Sequence, residues 1–354
     1  ILTTGGLGPT YDDLTKQTVC ETFGKLLVLR EDVLEHIRTY FARNVHLVMP
    51  ENNRQQAEFP ADCVIFDNPV GTAPGCAFEA EGVHVLMLPG PPFEMRTMLQ
   101  NWAVPYLRGL SKEVIVSHDI MTFGLGESPM EDLMRERISR MENPSLATYA
   151  KPSEVRLRAT AKADSAAAAE AMLAPVVAEV RAALGDYVYG VDVKGLEAVC
   201  FQLLKERNLT LSTAESCTGG RVAERITALP GVSSVYRGGV VSYWTSVKAA
   251  VLGVPQETLD QYGAVSEETA RAMAEGARQI TGADIAVSVT GVAGPDRDER
   301  DNPVGLVYIG LATPEGTFCR RTDSGRRRRD RIQELAANHA LDVVRRYLTG
   351  LPIG

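Results

Sequence analysis

Three times this chain drives an apolar run of strand-forming residues into a glycine turn and out into a helical pattern: "ILTTGG" at its start, "EGVHVLMLPGPP" before "FEMRTML", and "LTLSTAESCTGG" before "RVAERI". A strand, a tight turn and a helix that packs back are the unit of layered α/β architecture. The first two units fall within residues 1–110. Over 111–190, "EVIVSHDIMTF" and "EVRLRATAKA" alternate as strands, while "SPMEDLMRERISRM" and "SAAAAEAMLAPVVAEVRAAL" carry helical spacing, which predicts a small α+β module. "GDYVYGVDVKG" reads as a boundary, and "LEAVCFQLLKERN" opens a third domain, 195–354, whose alternating strands and helices predict a doubly wound α/β/α sandwich. The opening strand has no earlier neighbours, so the first domain is expected to lack its amino-terminal part.

With 354 residues there is room for several separate cores. The net charge of −8 argues against a nucleic-acid groove, which needs clustered Lys and Arg to neutralise phosphates. The run Arg326 to Arg329 is the exception, readable as a solvated helix start or as an anion site. No stretch approaches the ~20 apolar residues of a membrane span, so no membrane association is expected. Six dispersed cysteines without a C-x-x-C pair, and no visible signal peptide, fit a cytoplasmic protein better than a disulfide framework or a zinc site.

"STAESCTGG", Ser212 to Gly220, crowds hydroxyls, a thiol and a carboxylate into one turn between a buried strand and a helix. Such a turn presents reactive groups, and the helix start offers N–H groups to an anion or oxyanion through Gly219 and Gly220. A plain N-cap role for the serines and threonines is the alternative. Glu215 has no His or second carboxylate at metal spacing. Cys217 would need thiolate stabilisation, and the only histidine of this domain, His339, has no acidic or serine companion, which disfavours a Ser-His-Asp arrangement. Ser216 then requires another base. In "GGVVSYWTSVKAAVLGV", Tyr243 at a strand end and Lys248 five residues later fall where a strand end and a first helical turn converge. A lysine acts as a base only when burial or nearby positive charge lowers its pKa, and the arginine run could supply that charge. Thr290 ends the strand in "SVTGVAGPDRDERDNPVG" and could donate to substrate or oxyanion. The aspartates at 296, 298 and 301 lack the glycine and glutamate of an EF-hand loop. Near the amino end, Gly5, Gly6 and Gly8 make a phosphate-sized turn followed by Thr10, and Asp12 and Asp13 could hold a metal, unless Asp13 caps a helix beginning near Leu14.

"TAESCTGG", "GAVSEETA", "SVTGVAGPD" and "PVGLVYIGLAT", in this order, resemble the C-terminal domain of the competence/damage-inducible protein CinA family, the nicotinamide mononucleotide deamidases. "TTGGLGPTYDDLT", "NPVGTAPG" and "LPGPPFEM" resemble that family's molybdopterin-binding-like domain, and "FGLGES" with "SEVRLRATAKA" its KH-like module. The resemblance implies a nucleotide substrate, a Ser216 nucleophile, proton handling by Tyr243 and Lys248, an oxyanion or substrate contact at Thr290, and substrate contacts at Gly219, Gly220 and Gly291. The family's Gly-Asp-Arg falls on Gly325-Arg326-Arg327, making Arg327 the expected phosphate clamp, Arg331 its reserve, and Arg326 and Arg329 solvated neighbours. A homodimer is implied, with no cofactor for deamidation. For the first domain the resemblance implies ADP-ribose pyrophosphatase activity assisted by magnesium or cobalt. A nucleotide-binding module without chemistry is the competing class.

Overall fold

The computed structural model describes residues 1–45, 48–151 and 154–353. The chain divides into two compact units, Ile1–Glu113 and Val114–Gly354.

The first unit carries strands β1 (Leu2–Thr4), β2 (Leu27–Leu29), β3 (Glu58–Pro60), β4 (Val64–Phe66), β5 (Gly75–Ala80) and β6 (Val83–Leu88) with helices α1 (Thr15–Thr22), α2 (Glu31–Tyr40), α3 (Pro92–Met98) and α4 (Val104–Gly109). Its sheet runs β1-β6-β5-β4, with β1 parallel to β6, and β2 pairs with β3 apart from it. The apolar run over residues 85–88 of β6 follows from coverage on both faces: Val85 and Met87 enter one core with Phe59 and Phe78, while Leu86 and Leu88 enter another with Phe66 and Met98.

The second unit begins with the α+β module. Strands β7 (Val114–Thr122), β8 (Ser145–Lys151), β9 (Glu154–Ala163) and β10 (Val188–Val191) form an antiparallel sheet in the order β10-β7-β9-β8. Helix α6 (Ala166–Leu184) buries Leu173, Val176 and Val180 in the core against Leu157 and Ala159 of β9, a core to which α5 (Glu127–Arg140) adds Met130 and Met134.

The carboxy-terminal part is a three-layer sandwich. Strands β11 (Leu211–Glu215), β12 (Tyr236–Val241), β13 (Ile285–Gly291), β14 (Leu306–Thr313) and β15 (Gly316–Asp323) run in the order β12-β11-β13-β14-β15. The first three are mutually parallel and the last two antiparallel, so β11 sits inside the sheet with partners on both sides. Helices α7 (Leu196–Arg207), α8 (Arg221–Thr227) and α12 (Arg329–Thr349) pack with Ile285, Val287 and Val289 on one face. Leu252 of α9 (Thr245–Leu252), Leu259 of α10 (Gln256–Tyr262) and Met273 of α11 (Glu267–Thr281) pack with Ala214 and Ala286 on the other.

Helix α12 also ties the sandwich to the α+β module. Arg345, only 3% exposed, donates to Asp342 Oδ1 (2.9 Å) and to the carbonyls of Asp186 (3.0 Å), just before β10, and of Val188 (3.3 Å), its first residue. The second oxygen of Asp342 takes Arg320 at 3.0 Å. Breaking a buried pair strands the remaining charge. Asp342→Ala should therefore cost about 3–5 kcal/mol in denaturant unfolding of this unit, and a loss below about 1 kcal/mol would show the pair to be dispensable.

Candidate active site

All five residues of β11 are buried, so the strand must end where its chain can reach the sheet's carboxyl edge. Its last residue, Glu215, is 1% exposed, and its carboxylate accepts the N–H groups of Gly220 (3.0 Å), Val222 (3.1 Å) and Ala223 (2.8 Å). Gly219 (φ 62°) and Gly220 (φ 100°) take left-handed conformations that curl the chain tightly enough for this contact. This corrects the expectation that the helix start lies open to an anion: Glu215 already occupies those donors. It also removes the N-cap role for Ser216, since α8 starts after Gly220 with no such bond from a serine.

Ser216 is instead fixed by its amide, which donates to Val289 O of β13 (2.9 Å), and by its side chain, whose Oγ lies 2.9 Å from Lys248 Nζ. Lys248 is 1% exposed and also donates to Ser242 O at 2.7 Å. Ser242 is held in turn, its N–H donating to Glu215 O at 2.8 Å. Burial pushes the Lys248 ammonium down to about 8, with the neighbouring Cys217 opposing the shift. A solvated helix lysine is thus excluded, and burial rather than the arginine run lowers its pKa. The Cys217 thiol is pushed up to about 12, chiefly by burial, which denies it thiolate character. His339 is pushed down to about 4, first by burial, and stacks edge-on against Phe123 with ring centroids 4.9 Å apart.

These groups open into a cavity of about 250 Å³. Ser216, Lys248, Thr290 and Gly291 line it together with Tyr243, Asp296, Asp298 and Arg329. The Thr290 hydroxyl donates to Ala264 O at 2.6 Å, so toward the cavity it offers lone pairs, not the proton expected for an oxyanion contact. Gly291 leaves room for β14: a Cβ there would meet Leu306 O at 2.6 Å. Tyr243 lies beyond the end of β12, and its hydroxyl accepts from Arg329, not from the Ser216–Lys248 pair.

The arginine run divides differently from its sequence reading. Arg327 donates to Ser324 O (2.9 Å) and lines a different cavity, beside Phe123 and His339, while Arg331 pairs with Glu334 at 3.2 Å. Arg329, expected as a solvated neighbour, reaches Gly294 O (2.6 Å) as well as Tyr243 and forms part of the cavity wall. The cause is where α12 begins. Arg328 is still extended (ψ 145°), and Arg329 is the first helical residue. The apolar positions Ile332 and Ala336 of that helix were the sequence signal that could have located its first turn.

In the first unit, Gly5 (φ 95°) and Gly6 (φ 70°) form the expected turn, and Gly8 abuts Asp13, whose Oδ2 would lie 2.4 Å from a Cβ there. Asp13 does not cap α1, whose N-cap is Leu14. Its carboxylate accepts from the Thr10 amide (3.0 Å) and hydroxyl (2.5 Å), and Asp12 Oδ1 lies 2.6 Å from the same hydroxyl. Burial raises the Asp13 pKa, but the Thr10 and Gly8 hydrogen bonds outweigh it and the net shift is downward. Among the described residues, no three of His, Cys, Asp and Glu gather as a metal site. The two carboxylates converge on the Thr10 hydroxyl. Lys16 went unread in the sequence. It is 7% exposed, donates to Gln55 O at 2.9 Å, stands 4.1 Å from the Phe59 ring centroid, and is pushed down to about 8 by burial.

Comparison with known proteins gives a consistent assignment along the whole chain. Residues 1–109 match the family described as "Probable molybdopterin binding domain", 117–190 the "Damage-inducible protein CinA KH domain", and 193–348 the "CinA C-terminal domain". A CinA-like protein of Kosmotoga olearia is 45% identical over 352 residues, covering 99% of this chain and 85% of that protein. A CinA-like protein of Desulfovibrio desulfuricans is 44% identical over 356 residues, covering 100% of this chain and 83% of that protein. Among solved structures, the competence/damage inducible protein CihA from Agrobacterium tumefaciens is 37% identical with a TM-score of 0.42, covering 44% of this chain and 93% of that chain. No helix among the described residues is long and apolar enough to cross a membrane.

Because Glu215 alone satisfies three buried or half-buried N–H groups, Glu215→Ala should lower stability by about 3 kcal/mol or more at roughly 1–3 kcal/mol per orphaned donor. Equilibrium denaturation measures this, and an unchanged midpoint would refute the clamp.

Proposed function

Since this chain belongs to the CinA family, we propose that its C-terminal domain is an amidohydrolase that converts nicotinamide mononucleotide to nicotinic acid mononucleotide and ammonia through Ser216. The carrying observation is the 2.9 Å contact between Ser216 Oγ and a Lys248 amine buried to 1% exposure. Near neutral pH a lysine pushed down to about 8 exists partly as the free amine. With one N–H held by Ser242 O, its lone pair can take the Ser216 proton as Oγ attacks the carboxamide carbon. The proton passes from Lys248 to the amide nitrogen, the C–N bond breaks, ammonia departs, and the acyl group remains as an ester on Ser216 Oγ. Water, deprotonated by the same amine, then releases the carboxylate and Ser216 recovers its proton. Thr290 Oγ1 is suited to accept from the carboxamide N–H. Arg329, steadied by its hydrogen bonds to Gly294 O and the Tyr243 hydroxyl, keeps guanidinium donors for the 5′-phosphate.

The direct test incubates the chain with nicotinamide mononucleotide and identifies the products. Ser216→Ala should abolish ammonia release in a folded protein, and Lys248→Met should lower the rate by about 10²–10⁴. The base acts when neutral, so the rate of the parent should rise with pH to a plateau above about 8. Lys248→Arg should be inactive, because arginine keeps its proton. Undiminished turnover by Ser216→Ala would reject the mechanism.

The phosphate reading is tested separately. Arg329→Ala should reduce kcat/KM for nicotinamide mononucleotide by about 10- to 100-fold, the worth of a charge-assisted hydrogen bond, and change little with nicotinamide riboside. Arg327→Ala should leave both substrates nearly unaffected. The opposite ranking of the two arginines would return the clamp to Arg327.

A further inference from the structure

The segment that follows β13 passes along this cavity, and four of its six charged side chains are tied down. Asp298 accepts from the amides of Arg300 (3.1 Å) and Asn302 (2.8 Å) and from Asn302 Nδ2 (2.8 Å). Arg297 pairs with Asp301 at 2.9 Å, and Arg300 donates to Gln261 O at 2.8 Å. The start of the segment is pinned by Arg329 on Gly294 O. Asp296 and Glu299 have no hydrogen bond or ion pair among the described residues, and of the two only Asp296 lines the cavity, exposed, where Arg329 also lies.

The cavity has a depth order. Ser216, Lys248 and Thr290 are 9%, 1% and 1% exposed, whereas Tyr243, Asp296 and Arg329 are exposed. A carboxamide must reach Ser216 Oγ at the buried end. The outer groups therefore meet whatever the substrate carries beyond its amide-bearing ring. For an amide ring joined to ribose phosphate, those parts are a diol and a phosphate. Arg329 suits the phosphate. A carboxylate cannot share that role, since it repels phosphate and only accepts hydrogen bonds. Its two oxygens match a pair of adjacent hydroxyl donors, the chemistry by which acidic side chains hold ribose elsewhere.

We propose that Asp296 is a specificity residue that accepts hydrogen bonds from the ribose hydroxyls of the substrate. The site thereby selects an amide carried on a ribosylated ring over the same amide on a free ring. Rigid attachment of the segment on both sides of Asp296 holds its carboxylate in place without occupying it. This reading rests on the deamidase assignment for its substrate, and the two are separable by measuring binding apart from turnover.

Binding is measured by calorimetry on Ser216→Ala, which cannot turn over, with nicotinamide mononucleotide and its 2′,3′-dideoxyribose analogue. The hydroxyls should be worth about 10- to 100-fold in Kd, the range of hydrogen bonds to a charged group. Adding Asp296→Ala should weaken the mononucleotide to the level of the analogue and leave the analogue unchanged. Asp296→Asn, which keeps one acceptor oxygen, should fall between. Equal affinity of the two ligands for Ser216→Ala, or an equal loss of both on Asp296→Ala, would overturn the proposal. If the hydroxyl preference follows Asp296 but the parent releases no ammonia, the diol reading stands and the deamidase reading falls. If the mononucleotide does not bind at all, both fall.

Discussion

The carboxylate of Glu215 receives three backbone N–H groups from the start of α8, and its own carbonyl receives the N–H of Ser242. A buried carboxylate without such donors would be costly, and a helix start without an acceptor would leave orphan amides. Each defect cures the other. The turn between them, which carries Ser216, has its two ends anchored, and the next strand over is locked in register with it. The residue that closes the strand thus also sets where Ser216 stands and where the carbonyl that receives Lys248 stands.

Lys248 depends on that frame. An amine at 1% exposure is expensive to charge, and its compensation is a single backbone carbonyl and a hydroxyl instead of a carboxylate. A paired Asp or Glu would have held the proton on. The chemistry of the site therefore comes from what is missing around the lysine as much as from what touches it. Cys217, one residue from Ser216, shows the converse effect of the same burial, which pushes its thiol up and keeps it protonated.

Helix α12 unites two tasks. Its first residue, Arg329, reaches the cavity wall, while Asp342 and Arg345 near its other end hold the segment that leads into β10. Between them Ile332, Ala336 and Val344 pack in the sandwich core.

Much of this was legible from residue order. Strand runs ending in glycine turns led to α/β layers, and the absence of a companion for His339 led from a histidine base to Lys248. Those inferences rest on local chemistry: period, turn residues and the proton affinity of side chains. Other features depended on neighbours distant in sequence. Lys248 meets Ser216 from 32 residues away, and Thr290 becomes an acceptor only because Ala264 O takes its proton. Arg329 and Arg327 are the same side chain two positions apart. The turn at which α12 begins sends one to the cavity that Ser216 and Lys248 line and the other to a separate one. Sequence alone determined which chemical groups were available and on which kind of element they ride. The tertiary structure decided their protonation, hydrogen-bond polarity and direction, because desolvation and hydrogen-bond pairing are set by contacts that only the packed fold creates.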